Sequence, residues 1–205
     1  MTRYSSKAWR AFRPRSSAAA ITLVASNCRI LGLDPGSQHT GFGIVDCAAG
    51  GERYVASGCI DVAGRAMVVR LQRIYAALSA LVSEHRPDMI AIERVFVHRN
   101  PDSALKLGQA RGVALCAAAG LGASVHEYAP RAIKLAVTGY GAAAKPQVAQ
   151  MVRTLLSLEI KLAADAADAL AVALCHAHTR RLSALGTDGA ADGEGKTAQA
   201  RATAR

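Results

Sequence analysis

The sequence predicts a mixed α/β domain, and three kinds of pattern support that prediction. Three runs of strand-forming residues, at 30–33, 42–45 and 54–61, follow one another early in the chain. Two later runs, 88–93 and 125–128, have the length of strands and alternate with stretches of helical periodicity. This order is typical of a sheet that is part antiparallel and part parallel.

The first three strands are joined by tight turns. Pro35-Gly36 gives a sharp turn after the first strand, and Gly50-Gly51 is typical of a hairpin between the second and third. We therefore expect an antiparallel meander of three strands. The fourth strand, 88–93, is apolar on both faces, which is typical of a central strand, and we expect it to lie parallel to the first.

Apolar residues that recur at spacings of three and four predict helices in the rest of the chain. Pro87 ends the first helix, and Lys145-Pro146 opens the fourth, because proline is tolerated in a first helical turn. We expect Asp102 or Ser103 to cap the second helix. The helices cover approximately residues 71–82, 102–119, 130–137, 145–155 and 163–174.

Two glycines, Gly108 and Gly112, lie four residues apart on one face of the second predicted helix. Each costs about 1 kcal/mol relative to alanine in a helix interior, and a close helix contact would offset that cost. The contact is either with a second copy of the chain, across a dimer interface, or with the sheet of the same domain. Spacing alone leaves both possibilities open.

Composition is typical of a globular cytosolic protein. The chain has 205 residues, 51% of them hydrophobic, which is enough for one domain with a sizeable core. Because it holds no run of about eighteen apolar residues, no membrane span is predicted. Five scattered cysteines without Cys-x-x-Cys spacing, and six histidines without a ligand cluster, argue against a disulfide framework and a zinc site.

Charge and composition divide the chain into three parts. Residues 1–27 hold five basic residues and no acid, and we expect a disordered extension there. Residues 181–205 hold four basic and three acidic residues among Gly, Ala and Thr, and are predicted to be a disordered tail. The domain proper, 28–180, keeps +4 of the formal net charge of +10, which favours a polyanionic partner.

The basic extension has three interpretations that stay open. Its composition, rich in Arg, Ser and Ala, is compatible with an organellar transit peptide. It is also compatible with a disordered arm that adds affinity for DNA. The third interpretation is a start codon assigned too far upstream, in which case 1–27 is not part of the working protein.

Two acids follow apolar strands directly. Asp34 ends the first strand and Glu93 ends the fourth, and parallel neighbouring strands present such side chains at the same carboxyl edge of a sheet. That edge is where α/β folds bind their ligands. Alternatively, Asp34 accepts hydrogen bonds from the backbone amides of its own Asp-Pro-Gly turn.

Two further acids lie three residues apart in the last predicted helix, so Asp165 and Asp168 share one helical face. Asp165 also has a second interpretation, which is interaction with the amino-terminal dipole of that helix. If all four acids meet without a cation they repel, since two charges about 4 Å apart cost roughly 4 kcal/mol at an effective dielectric of 20. Two divalent cations would balance the four charges.

The ligand chemistry narrows the choice of cation. Carboxylate oxygens without a His or Cys cluster suit Mg²⁺ or Mn²⁺ rather than zinc. Two such ions about 3.5 to 4 Å apart support an in-line displacement at a phosphodiester, with water as the nucleophile. The residues alone therefore favour metal-dependent phosphodiester hydrolysis without a covalent enzyme intermediate.

Four separated motifs occur in the chain: ILGLDPGSQHTGFGIV (30–45), AIERVF (91–96), NPDSALKLGQARGVAL (100–115) and ADAADALAVAL (164–174). In this order and spacing, over about residues 29–178, the sequence resembles the RuvC family of Holliday-junction resolvases, in the ribonuclease H-like superfamily. The resemblance implies a five-stranded mixed sheet flanked by helices, with a three-strand antiparallel meander plus two parallel strands. It also implies a homodimer in the bacterial cytoplasm, at the nucleoid.

The implied activity is that of a crossover junction endodeoxyribonuclease, a hydrolase that makes paired symmetric nicks in four-way DNA junctions during recombination and repair. By motif position Asp34, Glu93, Asp165 and Asp168 are similar to the catalytic, metal-binding acids of the family. They are expected to hold two Mg²⁺ ions per subunit, with Mn²⁺ as a substitute. A branch-migration complex of the RuvA and RuvB type is the implied protein partner.

The same resemblance implies DNA contacts. Phe96 falls at the position of an aromatic residue that stacks on a junction base, and Lys134 and Lys145 fall near the scissile phosphates. Arg111 is a further candidate for DNA binding. Each has a simpler interpretation, as a core aromatic or as solvated surface charge. The chain departs from the family at Pro146, where a polar residue is common, and this affects the approach of Lys145.

Two other functions compete with this prediction. The Asp-x-Gly-Ser-x-x-Thr-Gly pattern of residues 34–41 also resembles the phosphate-binding element of actin and sugar-kinase ATPases. Those proteins need two such domains and a second glycine-rich loop, which this chain lacks. The other alternative is a junction-binding protein without nuclease activity.

Overall fold

The computed structural model describes residues 27–94, 100–119 and 122–187. Its strands are β1 (Cys28–Asp34), β2 (His39–Ala48), β3 (Gly51–Asp61), β4 (Met89–Glu93) and β5 (Ser124–Tyr128). Its helices are α1 (Met67–His85), α2 (Pro101–Ala119), α3 (Pro130–Thr138), α4 (Lys145–Leu155) and α5 (Ala164–Thr187). Every strand and helix predicted from the sequence is therefore confirmed.

The five strands form one sheet in the order β3-β2-β1-β4-β5. β1, β2 and β3 are antiparallel neighbours, as predicted, whereas β4 is parallel to both β1 and β5. The register pairs Leu33 with Ile92, and the next residues are Asp34 and Glu93. Both acids therefore leave the sheet at the same edge.

Helices cover both faces of this sheet because successive side chains of a strand point to opposite faces. Leu31 and Leu33 of β1 are fully buried in the cluster that contains Ile74 of α1 and Ala114 of α2. Ile30 belongs to the other cluster, which α3, α4 and α5 complete. The molecule is thus a three-layer sandwich with the sheet in the middle.

Glycines bring α5 unusually close to the sheet. A Cβ atom at Gly32 would lie 2.1 Å from the backbone oxygen of Ala169, and one at Gly41 would lie 2.1 Å from the backbone oxygen of Asp165. Only glycine leaves room for a helix backbone at this distance. Gly41 is also the register partner of Asp34, so the close approach sets Asp165 beside the end of β1.

The second helix differs from its prediction in two details. Asn100, rather than Asp102 or Ser103, is the cap, because its Oδ1 accepts hydrogen bonds from the amides of those two residues at 3.0 and 3.4 Å. Gly108 and Gly112 face open space: apart from the backbone of their own helix, no atom of the described residues lies within 4 Å of a Cβ built on either. The possibility that they pack against the domain's own sheet is therefore excluded.

The boundaries of the predicted domain lie partly outside the described residues. The structure gives no information on 1–26 or 188–205, so the predicted extension and most of the predicted tail stay predictions. α5 runs to Thr187 and thus passes the predicted domain boundary at residue 180. Among the helices that the structure describes, none has the length and hydropathy needed to cross a membrane.

Candidate active site

Asp34 lies at the end of β1, where Pro35 and Gly36 start the turn to β2. The hydroxyl of Thr40 donates to the carbonyl of Gly36 at 3.2 Å and holds the turn. Within residues 27–94, no turn amide donates a hydrogen bond to the Asp34 carboxylate. The alternative role of Asp34 as a cap of its own turn is therefore not supported.

The charged forms of Asp34 and Glu93 are both disfavoured by their surroundings, so the pKa of each is raised. Burial, followed by the charge of Asp168, raises the pKa of Asp34 from 3.8 to about 6. Burial, followed by the charge of Asp34, raises the pKa of Glu93 from 4.5 to about 7. The contact between the two carboxyls lowers the pKa of Asp34 and raises that of Glu93, so Glu93 is the weaker acid of the pair.

Asp168 of α5 is paired with Lys145, the first residue of α4. The Lys145 ammonium lies 2.6 Å from Asp168 Oδ2, and this hydrogen bond raises the pKa of the lysine. The positive charge also lowers the pKa of Asp34 and of Glu93. Lys145 therefore provides one cation for a group of three carboxylates, which leaves the group with a net negative charge.

A cavity of about 210 Å³ opens beside these groups. Its polar lining consists of Glu93, Lys134, Lys145 and Asp168, and its apolar lining includes Ile133 and Val148. The two lysines predicted to contact DNA therefore line the same cavity as two of the predicted acids. This arrangement fits an anionic group that approaches the acids between positive side chains.

Asp165 points toward the β2–β3 ribbon rather than toward Asp168. The Cys59 thiol donates a hydrogen bond to Asp165 Oδ2 at 3.4 Å. A ring nitrogen of His39, the Cys59 sulfur and an Asp165 oxygen all lie within 4.8 Å of one another, close enough to hold a metal ion. The sequence patterns gave no sign of this grouping of one His, one Cys and one Asp, because strand pairing and helix packing join residues far apart in sequence.

The other predicted DNA contacts differ in how the structure places them. Phe96 lies within residues 95–99, outside the described residues. Arg111 of α2 is largely buried and forms an ion pair with Glu127 of β5, 2.7 Å between Nη2 and Oε1. This contact gives Arg111 a structural role, and its assignment to DNA stays a prediction.

Tyr140, which is 65% exposed, is a further candidate that was not among the residues predicted from the sequence. It lines a groove of about 600 Å³ together with Arg131, Lys134 and Gly139. The signal was present in the sequence, because Tyr140 lies in the glycine-rich loop after α3 and only five residues before Lys145. An exposed aromatic ring between basic side chains is a surface suited to single-stranded nucleic acid.

A family model described as "Crossover junction endodeoxyribonuclease RuvC" matches residues 30–176. The chain belongs to the RuvC family. RuvC of Alkalilimnicola ehrlichii is 53% identical over 156 residues, which cover 76% of this chain and 94% of the relative. RuvC of Marinobacter nauticus is 56% identical over 149 residues, 73% of this chain and 85% of the relative.

Solved RuvC structures share the fold. Thermus thermophilus RuvC is 34% identical, with a TM-score of 0.70 over 76% of this chain and 97% of that chain. The same protein in complex with a Holliday junction substrate is 35% identical, with a TM-score of 0.71 over 77% and 97% of the two chains. The predicted ribonuclease H-like five-stranded sheet is therefore confirmed.

All four predicted acids lie inside the range matched by the RuvC family model. In the described part of this RuvC-family chain, no three of these carboxylates bring oxygens within 4.8 Å of one another. Lys145 donates a hydrogen bond to Asp168 and Cys59 donates one to Asp165, while burial and neighbouring carboxylates raise the pKa of Asp34 and Glu93. An all-oxygen donor set with unbalanced charge fits hard divalent cations.

Proposed function

We propose that this chain is a structure-specific endonuclease that resolves four-way DNA junctions in recombination and repair by paired symmetric nicks. The observation that carries this proposal is the meeting of Asp34 and Glu93 at the carboxyl edge of the sheet, next to Asp168. Their pKa values are raised first by burial and then by a neighbouring carboxylate, and such shifts are typical of functional sites. The complex of Thermus thermophilus RuvC with a Holliday junction substrate supports the choice of DNA.

Asp34, Glu93, Asp165 and Asp168 would together hold two Mg²⁺ ions per subunit, or Mn²⁺ in their place. The chemistry that such cations would supply is activation of a water and stabilisation of the leaving oxygen in a displacement at phosphorus. The carboxylates of this chain hold the ions, and burial at the sheet edge keeps the carboxylates ordered. Because the pKa of Glu93 is raised to about 7, we expect cation binding to favour the deprotonated form of this side chain.

The basic residues around the acids position the DNA. Lys134 and Lys145 contact phosphates next to the bond that is cut, and Lys145 exchanges its ion pair with Asp168 for a phosphate. Phe96 stacks on an unpaired base at the junction centre, an interaction of about 1–3 kcal/mol per base. Arg131 and Tyr140 extend the contact surface away from the acids, and Arg111 remains the weakest candidate.

Paired nicks follow from a homodimer. A two-fold axis relates two identical sites, and a four-way junction presents two equivalent strands about such an axis. The exposed face of α2 suits this contact, because Gly108 and Gly112 let a second helix approach and Leu105 is 64% exposed beside them. A complex of the RuvA and RuvB type would deliver the junction to this dimer.

The test is incubation of the purified protein with branched and linear DNA of identical sequence, with Mg²⁺ and with EDTA. We expect paired nicks in the branched DNA with Mg²⁺, and neither nicks in linear DNA nor cleavage with EDTA. Junction binding without cleavage under any metal condition would favour the non-nuclease alternative. ATP hydrolysis without any effect of branched DNA would favour the ATPase alternative.

A further inference from the structure

The strands β2 and β3 form a ribbon that carries a second set of metal-ligating side chains. The register pairs His39 with Asp61 and Gly41 with Cys59. Residues two apart on a strand point to the same face, and so do residues directly opposite each other on antiparallel strands. His39, Cys59 and Asp61 therefore point to the face on which α5 lies against Gly41.

The close contact at Gly41 brings Asp165 to this group. A Cβ at Gly41 would lie 2.1 Å from the Asp165 backbone oxygen, so the helix backbone rests directly on the ribbon. The Asp165 carboxylate then reaches the Cys59 thiol, with 3.4 Å between oxygen and sulfur. His39 is half exposed and lies 3.5 Å from Asp61, measured from Nδ1 to Oδ1.

We propose that His39, Cys59 and Asp165 bind zinc, or another thiophilic divalent cation, at the rim of the candidate active site. Their donor atoms all lie within 4.8 Å of one another. Tetrahedral zinc with bonds of 2.0–2.3 Å requires separations of about 3.3–3.8 Å, so shifts of about 1 Å complete the site. Three protein ligands leave the fourth position open to water or to an anion.

The donor set separates this site from the proposed magnesium site. Thiolate sulfur and imidazole nitrogen select zinc over magnesium, whereas an all-oxygen set favours magnesium. Binding breaks the hydrogen bond from Cys59 to Asp165, forms a sulfur–metal bond, and releases the thiol proton to solvent. Asp61 places a carboxylate beside the imidazole, which is the usual partner that orients a metal-binding ring.

Asp165 belongs to both donor sets, so the two cations compete for it. Zinc held by His39 and Cys59 keeps the Asp165 carboxylate on the ribbon side of α5 and away from Asp34. Zinc therefore inhibits cleavage at a fixed concentration of magnesium. This inhibitory half of the inference rests on the proposed nuclease function, whereas the binding half does not.

Cobalt(II) tests the binding half without any activity measurement. In the metal-free protein, we expect cobalt to produce the visible bands of a tetrahedral site and a near-ultraviolet sulfur-to-cobalt band. His39→Val and Cys59→Ser each remove a ligand and should weaken binding by at least about 10–100-fold, the range for loss of an outer-shell partner of a metal ligand. Cys116→Ser, which removes an exposed thiol on α2, is the matched control and should keep both bands. A sulfur-to-cobalt band that persists in Cys59→Ser would overturn the proposal.

Junction cleavage at fixed magnesium tests the inhibitory half, with each variant's zinc-free rate as its own reference. The zinc concentration for half inhibition should rise at least about tenfold in His39→Val and stay unchanged in Cys116→Ser. Equal inhibition of His39→Val and the parent protein would overturn the inhibitory role. A normal cobalt spectrum in a protein that cuts no DNA would support the metal site and overturn only the proposed function.

Discussion

The two ends of β1 hold acids in opposite electrostatic states. At the amino end, Arg29 clamps Asp46 with two hydrogen bonds of 2.7 and 2.9 Å, and this contact lowers the pKa of Asp46. At the carboxyl end, burial raises the pKa of Asp34 to about 6 and that of Glu93 to about 7. An acid with its own arginine stabilises the fold, whereas acids without one are available to a cation from solution.

Cavity size does not indicate which of these two ends of β1 carries the candidate active site. A cavity of about 920 Å³ lies at the amino end, lined by Arg29, Asp46 and Asp88 among others. The cavity beside Glu93 and Asp168 is much smaller, about 210 Å³. The acids Asp46 and Glu52 in the larger cavity are already paired with Arg29 and Arg181, so unbalanced negative charge locates the candidate chemistry better than volume does.

The largest expected effect is on junction cleavage, when an Asp→Asn substitution at the carboxyl end of β1 is compared with one at its amino end. Asp34→Asn should slow cleavage of a synthetic four-way junction by at least about 10²–10³-fold, the range for removal of one preorganised electrostatic group, while junction binding persists. Glu93→Gln, Asp165→Asn and Asp168→Asn should behave alike. Asp46→Asn should cleave normally. Denaturing gels measure the cleavage rates and gel shifts measure the affinities for the junction. Full cleavage by Asp34→Asn would refute the assignment of Asp34 to the active site.

The same two substitutions should affect the free energy of unfolding in the opposite order, with Asp46→Asn the more harmful. Asp46→Asn removes the partner of a charged, half-buried group and should lower the free energy of unfolding by about 1–3 kcal/mol. In EDTA at pH 7.5, Asp34→Asn should raise it by about 1–2 kcal/mol, because a shift of one pKa unit corresponds to about 1.4 kcal/mol and relaxation reduces the gain. Urea unfolding curves measure both variants, and a loss of stability in Asp34→Asn would show that no repulsion is relieved.

The pH dependence of stability gives a third contrast. The folded protein holds protons on Asp34 and Glu93 that the unfolded chain has already lost, because both folded pKa values are raised. Without metal, the contribution of these two acids to stability should therefore fall as pH rises from about 4 to about 7, whereas His176, whose pKa burial lowers to about 4, contributes in the opposite sense. Millimolar Mg²⁺ should raise the melting temperature by a few degrees above pH 7. Asp34→Asn should flatten the pH profile, and an unchanged profile would contradict the pKa assignment.

The smallest expected effect concerns the basic side chains at the two ends of β1, Lys145 and Arg29, and whether each can leave its carboxylate partner. Lys145 has 77% of its side chain exposed and Arg29 has 33%, so only the lysine can leave its carboxylate for a phosphate. Lys145→Met should weaken junction binding several-fold and reduce the slope of log affinity against log salt by about 1. Arg29→Met should leave the salt slope unchanged. Equal slopes in both variants would place Lys145 outside the DNA contact.

The sequence was sufficient for the part of the site that depends on strand order. Asp34 and Glu93 each follow an apolar strand, and the prediction that these strands are parallel neighbours places both acids at one edge. The register confirms this with Leu33 opposite Ile92. Asp165 and Asp168 needed only helical spacing to be placed on one face, although their side chains contact different partners in the structure.

Other parts of the site depend on contacts between residues far apart in the chain, which no pattern in the neighbouring sequence predicts. Strand periodicity places His39 and Gly41 on one face, but it does not say that α5 covers that face. Glu127 lies on an edge strand, and nothing in its surroundings in sequence identifies Arg111 as its partner. Gly108 and Gly112 show the same limit, since their spacing predicts a contact but only the packing of the domain says on which side.

The close packing of α5 against Gly32 and Gly41 affects the order in which the site forms during translation. Cys59 and Asp165 are separated by 106 residues, and a ribosome adding about 5–20 residues per second needs roughly 5–20 s for that stretch. Until then the glycine surface of β1 and β2 is uncovered, and the nascent chain has only Asp34 and Glu93 of the four acids. A chain still in synthesis therefore lacks two of the four acids of the proposed metal site, and under the proposed function it cannot yet cut DNA.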